Sequence, residues 1–402
     1  MLRANAMLAL LLPALMVAAA PQATPFVITA TTMEWKSARP VLDEWLRTEW
    51  AKGSIVMPYL SGGDARAAAR INESLFLQAI QAPAPTSLGP TFELPDKVEP
   101  DGLAKVEFKV RRNDGRIVAL DIELEGCSAY CEEYARHYNF DARTGWQINT
   151  LDLLTRPGLV ALGHQMARER MRRYAEQTTE LKQRRKSAPK GKKGAEEVSD
   201  LDDRIGMNRE CRHQAEEGDR EAPQRLVEQS RFLGLSLASA QAMVFTAARC
   251  SPHGTRALDD VDEVTLTVPL SGPVDAAEAA QPEQTFPGRF LTAYGRSLLL
   301  GDGAESPPAT PYGQVLHGKL GKRIVTVWLD RPQFDDSLEG LYYYDKFRVP
   351  IELSGQRRGA KLELREITNG GGQATMTLQQ TGRGLKGNWS GGDRTIPVDL
   401  SW

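Results

Sequence analysis

Apolar and polar positions along this chain recur with two periods, and the switches between them mark the elements. "TPFVITATTMEW" (Thr24 to Trp35) reads as extended chain, and "PVLDEWLRTEW" as a short tryptophan-bearing helix or strand. "GSIVMPYL" is a strand, Ser61-Gly62-Gly63 a turn, and Asp64 the N-cap of an amphipathic helix. The apolar side of that helix is Ala68, Ile71, Leu75 and Leu77 to Ile80, roughly at helical spacing. Five prolines in "QAPAPTSLGPTFELPDKVEP" exclude regular structure there. Two period-two stretches, "AKVEFKVRR" and "RIVALDIELEG", flank Asn113-Asp114-Gly115, the pattern of a hairpin. "HYNFDARTGWQINTLDLLT" predicts strand, turn, strand.

Helical period returns in "GLVALGHQMARERMRRYAEQTTELKQ", with Leu159, Leu162, Met166 and Tyr174 as the buried stripe. Residues 179–209 carry a basic block and then an acidic one, which predicts a disordered or fraying insertion. "QAMVFTAARC" and "DEVTLTVPLSG" supply the last strands of this half. Residues 281–310, with Pro, Gly and Ser-Pro-Pro, read as a linker. From Gly313 onward about eight short strands alternate with tight glycine turns. The expected fold class is α+β. A mixed antiparallel sheet with two main helices spans residues 24–280, and an all-β antiparallel meander or small barrel spans 311–402.

Composition narrows the function classes. Of 402 residues 41% are hydrophobic and 25% charged, the balance of a globular chain with two domains. A formal net charge of −2 gives no global pull toward nucleic acid. A mean hydropathy of −0.40 excludes a membrane-embedded body. Arg3 followed by the apolar run Met7 to Ala20 predicts a signal peptide over residues 1–20, cleaved between Ala19 and Ala23. That run is short for a bilayer core of about 30 Å. The mature protein is expected to have no transmembrane segment and to be periplasmic or secreted.

Export bears on the four cysteines. An even count in an oxidising compartment reads as disulfides, and the local pairings are Cys127 with Cys131 and Cys211 with Cys250. For "GCSAYC" the alternatives are a redox or metal site with His137. A redox pair, however, normally has two intervening residues at a helix N-terminus. Cys211-x-His213 and Cys250-x-x-His253 could bind zinc or copper, although their spacing is that of no known finger. In "FDARTG", Asp141, Thr144 and Gly145 fit turn chemistry or ligand contact. The run Lys182 to Lys193 fits a solvated insertion or a polyanion contact. In Tyr342-Tyr343-Tyr344, alternation puts Tyr343 on one sheet face and its neighbours on the other, as core or as carbohydrate-stacking rings. No catalytic motif stands out: there is no Gly-x-Ser-x-Gly elbow and no His-based metal motif among five histidines.

"YLSGGDARAAARIN" (Tyr59 to Asn72) and "HYNFDARTGWQINTLDLLT" (His137 to Thr155) together carry a resemblance. In order and spacing they resemble motifs of the RsiV/PdaC-like exported domain family of unknown function. That family includes the ectodomain of a lysozyme-sensing anti-sigma factor and the accessory domain of a peptidoglycan deacetylase. The resemblance covers roughly residues 50–275. Departures are the order Pro58-Tyr59, Leu154 in place of a phenylalanine, and the cysteine loop. Neither an anti-sigma segment nor a deacetylase metal motif is present. The C-terminal strands resemble β-modules of uncharacterised secreted proteins.

The expected function is therefore non-catalytic recognition or envelope maintenance, with a cell-envelope protein or glycan (peptidoglycan, or a lysozyme-like protein) as partner and no cofactor or metal. Tyr130, His137, Asp141, Arg143 and Trp146 are the candidate binding residues. The alternatives are an envelope hydrolase with an inter-domain site around His137, Asp141 and Arg143, and a lysozyme-binding inhibitor or sensor.

Overall fold

A computed structural model of the chain describes residues 24–36, 52–95, 100, 103–127, 131–270, 290–301, 303–332, 336–367 and 374–402. The expected leader and "PVLDEWLRTEW" lie outside these residues. The described chain is α+β. The N-terminal half is built on a six-stranded sheet in the order β1-β2-β3-β4-β5-β6. Its strands are β1 (Val27–Lys36), β2 (Lys52–Ser61), β3 (Leu103–Asn113), β4 (Ile117–Cys127), β5 (Cys131–Asp141) and β6 (Trp146–Gln147). All pairs are antiparallel except β2 with β3. The second strand expected after the "DARTG" turn is only the two residues of β6, because the chain enters a short helix, α2 (Thr150–Leu153).

Helix α1 (Ala65–Ile80) covers one face of this sheet. Asp64 caps it, accepting from the Ala67 N–H at 2.8 Å. Ile71, Leu75 and Leu77 are buried. Period two sends Val118, Leu120, Ile122 and Leu124 of β4 into the α1 side. Ile117 and Ala119 go to the opposite side, against α3 (Arg156–Lys186) and a three-stranded sheet. That sheet is β7 (Gly234–Ser236), β8 (Ala242–Ala247) and β9 (Val264–Pro269).

Residues 179–209 depart from the expected disorder. They form the tip of a helical hairpin, α3 followed by α4 (Lys192–Asp219), which leads on to α5 (Pro223–Gln229). Antiparallel folding brings the basic end of α3 alongside the acidic stretch Glu196 to Asp203 of α4. Arg185 meets Asp202 at 2.6 Å, and Leu181, Leu201 and Ile205 form a seam between the helices. Across the hairpin one pair from the two charged blocks, Arg185 with Asp202, is in contact, while most of the other charges of these blocks stay exposed. Cys211 of α4 is bonded to Cys250, with Cα atoms 5.6 Å apart.

The stretch read as a linker also carries structure. Helix α6 (Ala293–Leu299) packs on α2, with Thr292 as its N-cap. Beyond it, β10 (Gln314–Leu320), β11 (Arg323–Leu329), β12 (Ser337–Tyr344), β13 (Ile351–Arg358), β14 (Lys361–Ile367), β15 (Thr375–Thr381), β16 (Gly384–Gly391) and β17 (Arg394–Ser401) close into an antiparallel barrel. β10 pairs with β17 to seal it. Leucines such as Leu316, Leu353, Leu364 and Leu385 fill the interior. Tyr342 and Tyr344 turn inward, while Tyr343 turns outward onto α1 beside Leu77. No helix among the described residues is long and apolar enough to cross a membrane.

Candidate functional site at the open edge of β5

The period-two face of β5 carries His137, Asn139 and Asp141 in line. Burial deepens along it. His137 is partly exposed, Asn139 is buried, and Asp141 is fully enclosed. Each residue has its own task.

Asp141 accepts from Arg143 twice, at Nε (2.9 Å) and Nη2 (2.8 Å), and from the Tyr294 hydroxyl of α6 at 3.2 Å. It also accepts the Arg143 backbone N–H. The pair raises the Arg143 guanidinium above its ordinary value, and burial pushes the Tyr294 hydroxyl well above its own. Gly145 sits at φ +69°, and a Cβ there would lie 2.5 Å from the Ala67 carbonyl. Trp146 is buried in the same turn, its indole N–H without a protein partner. Asp141, Arg143 and Trp146 therefore build the turn that locks β5 to α1 and α6.

Asn139 was not singled out in the sequence. Its amide donates to Leu235 O (2.6 Å) and accepts from Leu237 N (2.9 Å), clamping β7 against β5. Asn72 does the equivalent for α1, bonding both the N–H and the C=O of Leu60. The motifs that carry the sequence resemblance thus hold scaffold cross-links. A buried asparagine inside a strong periodic segment was the available signal.

His137 stands apart from the Asp141 cluster. Its Nδ1 lies 2.6 Å from Asp121 Oδ1, and Arg111 Nε donates to Asp121 Oδ2 at 2.6 Å. Burial pushes the Asp121 carboxyl up, but these two hydrogen bonds prevail and hold it below its usual range. The same bond raises His137, against the opposing effect of its burial.

His137 lines a cleft of about 380 Å³. The four consecutive residues Ala135 to Tyr138 form one wall, so the edge of β5 itself borders the space. Gln78, Gln147, Thr246, Glu263, Trp328 and Asp330 complete it, from α1, β6, the β7–β9 sheet and the barrel. Gln78 and Gln147 bond each other's amides in both directions, at 2.9 and 3.1 Å. The indole N–H of Trp328 is buried without a protein partner. Phe232, 51% exposed, stands at the same cleft.

The edge is open because β6 is so short. It pairs only with Phe140 and Asp141, and no other described strand pairs with the outer side of β5. Ile148 N donates to Asn139 O at 2.8 Å, so the Asn139 carbonyl faces outward. By period two the N–H and C=O of Ala135 and His137 face outward too.

Tyr130 and the rest of the cysteine loop, residues 128–130, lie outside the described residues. Cys127 and Cys131 stand opposite each other in the β4–β5 register, and Cys131 is disulfide-bonded. Glu132 beside it pairs with Arg249 at 2.7 Å and with Arg256, tying the start of β5 to the β8–β9 connection. The Cys211–Cys250 bond takes both sulfurs of the alternative zinc or copper set.

A larger cavity of about 500 Å³ lies beside Cys250, between α3, α4 and the end of β8, and holds none of the candidate binding residues. Compared with known proteins, the chain matches no family model, no curated protein and no solved structure.

Proposed function

We propose that this is an exported, non-catalytic recognition protein that takes an extended polypeptide segment of the cell envelope as an added strand on β5. The open edge of β5 at the base of a cleft carries this reading. A single strand can pair there with the outward amides and carbonyls of Ala135 and His137. The flanking α1, barrel and β8 sheet walls restrict entry by another sheet, which an exposed edge would otherwise invite. Trp328 and Phe232 offer apolar contact to alternate side chains, and Gln78, Gln147, His137 and Glu263 offer polar contact. The Cys211–Cys250 disulfide is compatible with export. The envelope setting rests on the expected resemblance of the Tyr59–Asn72 and His137–Thr155 motifs to those of exported domains.

The test uses Ala135→Pro. Proline at an outward-facing edge position removes one amide without touching the β4–β5 ladder. Peptides selected from a displayed random library against the wild-type chain are expected to bind the variant at least about ten-fold more weakly by fluorescence polarisation, the worth of one or two lost hydrogen bonds. Melting should be nearly unchanged. Equal binding by both proteins would refute strand addition. Sedimentation with purified peptidoglycan, unaffected by the substitution, would move the partner to the glycan.

A second reading is favoured by the His137–Asp121 pair, which could orient a base toward a substrate in the cleft. In that case purified protein hydrolyses peptidoglycan or an acyl substrate, and His137→Gln abolishes turnover. A robust negative screen removes it.

A further inference from the structure

The barrel has two unlike ends. One end gathers the β10–β11 turn, the start of β11, the segment after β12, the end of β14 and the β16–β17 turn. All the exposed large apolar side chains of the described barrel lie there: Ile324 (56% exposed), Phe347 (52%) and Ile367 (52%). Ile324 and Phe347 are neighbours, since Asp345 N donates to Ile324 O at 3.1 Å. Ile367 ends β14, separated from β11 by two strands around the ring. The three side chains are therefore spread over the rim and do not line a groove.

Cations are set among them. Lys322, Arg323, Lys346, Arg365 and Arg394 are exposed at this end. The Arg323 guanidinium lies 5.4 Å from the Tyr344 ring centre, and the Lys346 ammonium 5.6 Å from that of Phe347. Carboxylates are partly withdrawn. Glu366 turns inward and accepts from the Tyr342 hydroxyl and the Trp389 indole, both at 2.5 Å. Asp345 accepts the Thr326 hydroxyl but is itself exposed, as are Glu352 and Asp393. Inside the rim, Tyr344, Ile351, Trp389 and Ile396 remain partly exposed.

We infer that this end of the barrel docks on an anionic phospholipid surface. Scattered apolar tips ringed by cations fit the boundary between headgroups and acyl chains, where apolar tips insert and cations meet phosphate. A protein hot spot would instead require a contiguous, desolvated pocket. The overall charge of −2 is a sum over the chain and does not describe this end, where five exposed cations stand with three exposed carboxylates.

The experiment is co-sedimentation of the full mature chain with vesicles of phosphatidylglycerol and phosphatidylcholine in equal parts, against phosphatidylcholine alone. Binding is expected only to the anionic vesicles and falls with salt. Ile324→Glu with Phe347→Glu should weaken it at least about ten-fold, the worth of one buried apolar side chain. Arg323→Gln with Lys346→Gln should weaken it about five-fold per cation. Ile367→Glu, on the other side of the ring, is the independent variant, and melting curves confirm that each protein folds. Binding that is absent at low salt, equal on neutral vesicles, or unchanged in all variants would overturn the inference. A dimer in sedimentation that Ile324→Glu dissolves would assign the rim to a second copy and overturn it as well.

Discussion

His317 Nε2 on β10 lies 3.1 Å from Glu73 Oε2 on α1, and the other oxygen of Glu73 accepts the Tyr343 hydroxyl at 3.1 Å. One carboxylate thus joins the barrel to the N-terminal domain. Gln147 and Gln314 add two hydrogen bonds, and Arg331 reaches the buried Asp152 at 3.1 Å.

The junction should respond to pH. The Glu73 hydrogen bond is the main cause that raises His317 above 6.5. Burial and Arg70 oppose it, and Asp345 assists. A raised folded value means the pair's contribution is complete below about pH 6.5 and is lost as pH rises through the higher folded value. Half of His317 is exposed, so the pair counts as a surface ion pair of about 0.5–1 kcal/mol after solvent screening. The melting difference between wild type and His317→Ala should be widest near pH 6 and shrink toward pH 8.5. A difference that does not vary with pH contradicts this account.

Arg143→Ala leaves the enclosed Asp141 carboxylate without its charged partner, with only the Tyr294 hydroxyl and the backbone N–H of residue 143 remaining. A loss of about 3–5 kcal/mol is expected in denaturant melts. Tyr294→Phe removes one hydrogen bond and should cost about 1 kcal/mol. If Arg143→Ala proved as mild as Tyr294→Phe, the bidentate pair would not be the lock described.

Gly145→Ala combines positive φ with a collision against the Ala67 carbonyl. Destabilisation of about 3 kcal/mol or more is expected. Gly191→Ala shares positive φ but meets open space, so it should be milder. Equal effects at both positions would show that φ alone matters.

Replacing Cys211 and Cys250 together by alanine opens the bond between α4 and the β8–β9 connection. The chain-entropy model gives a loss of about 3–4 kcal/mol. Limited proteolysis should then cut first in the α3–α4 hairpin. Resistance equal to wild type would mean that the Leu181–Leu201–Ile205 seam and the Tyr174–Asp259 hydrogen bonds hold the hairpin without it.

Much of this architecture is a local property of the chain. Alternation separates the two faces of the barrel strands, down to Tyr342 and Tyr344 against Tyr343, and closure of the barrel decides which face is inside. The Asp64 cap and the apolar side of α1 follow from side chains a few residues apart. The even cysteine count, read with the expectation of export, pointed to Cys211 with Cys250. The charged hairpin was not legible, because opposite charges in solution and opposite charges in contact have the same sequence. Tertiary structure alone decided that β10 meets β17, that Tyr294 caps Asp141 from 153 residues away, and that β6 ends early enough to leave β5 an open edge. These depend on which surfaces meet once the elements exist. Such contacts span long stretches of chain and leave no periodic mark in it, so His137, one of the candidate binding residues, found its cleft only when three layers came together around it.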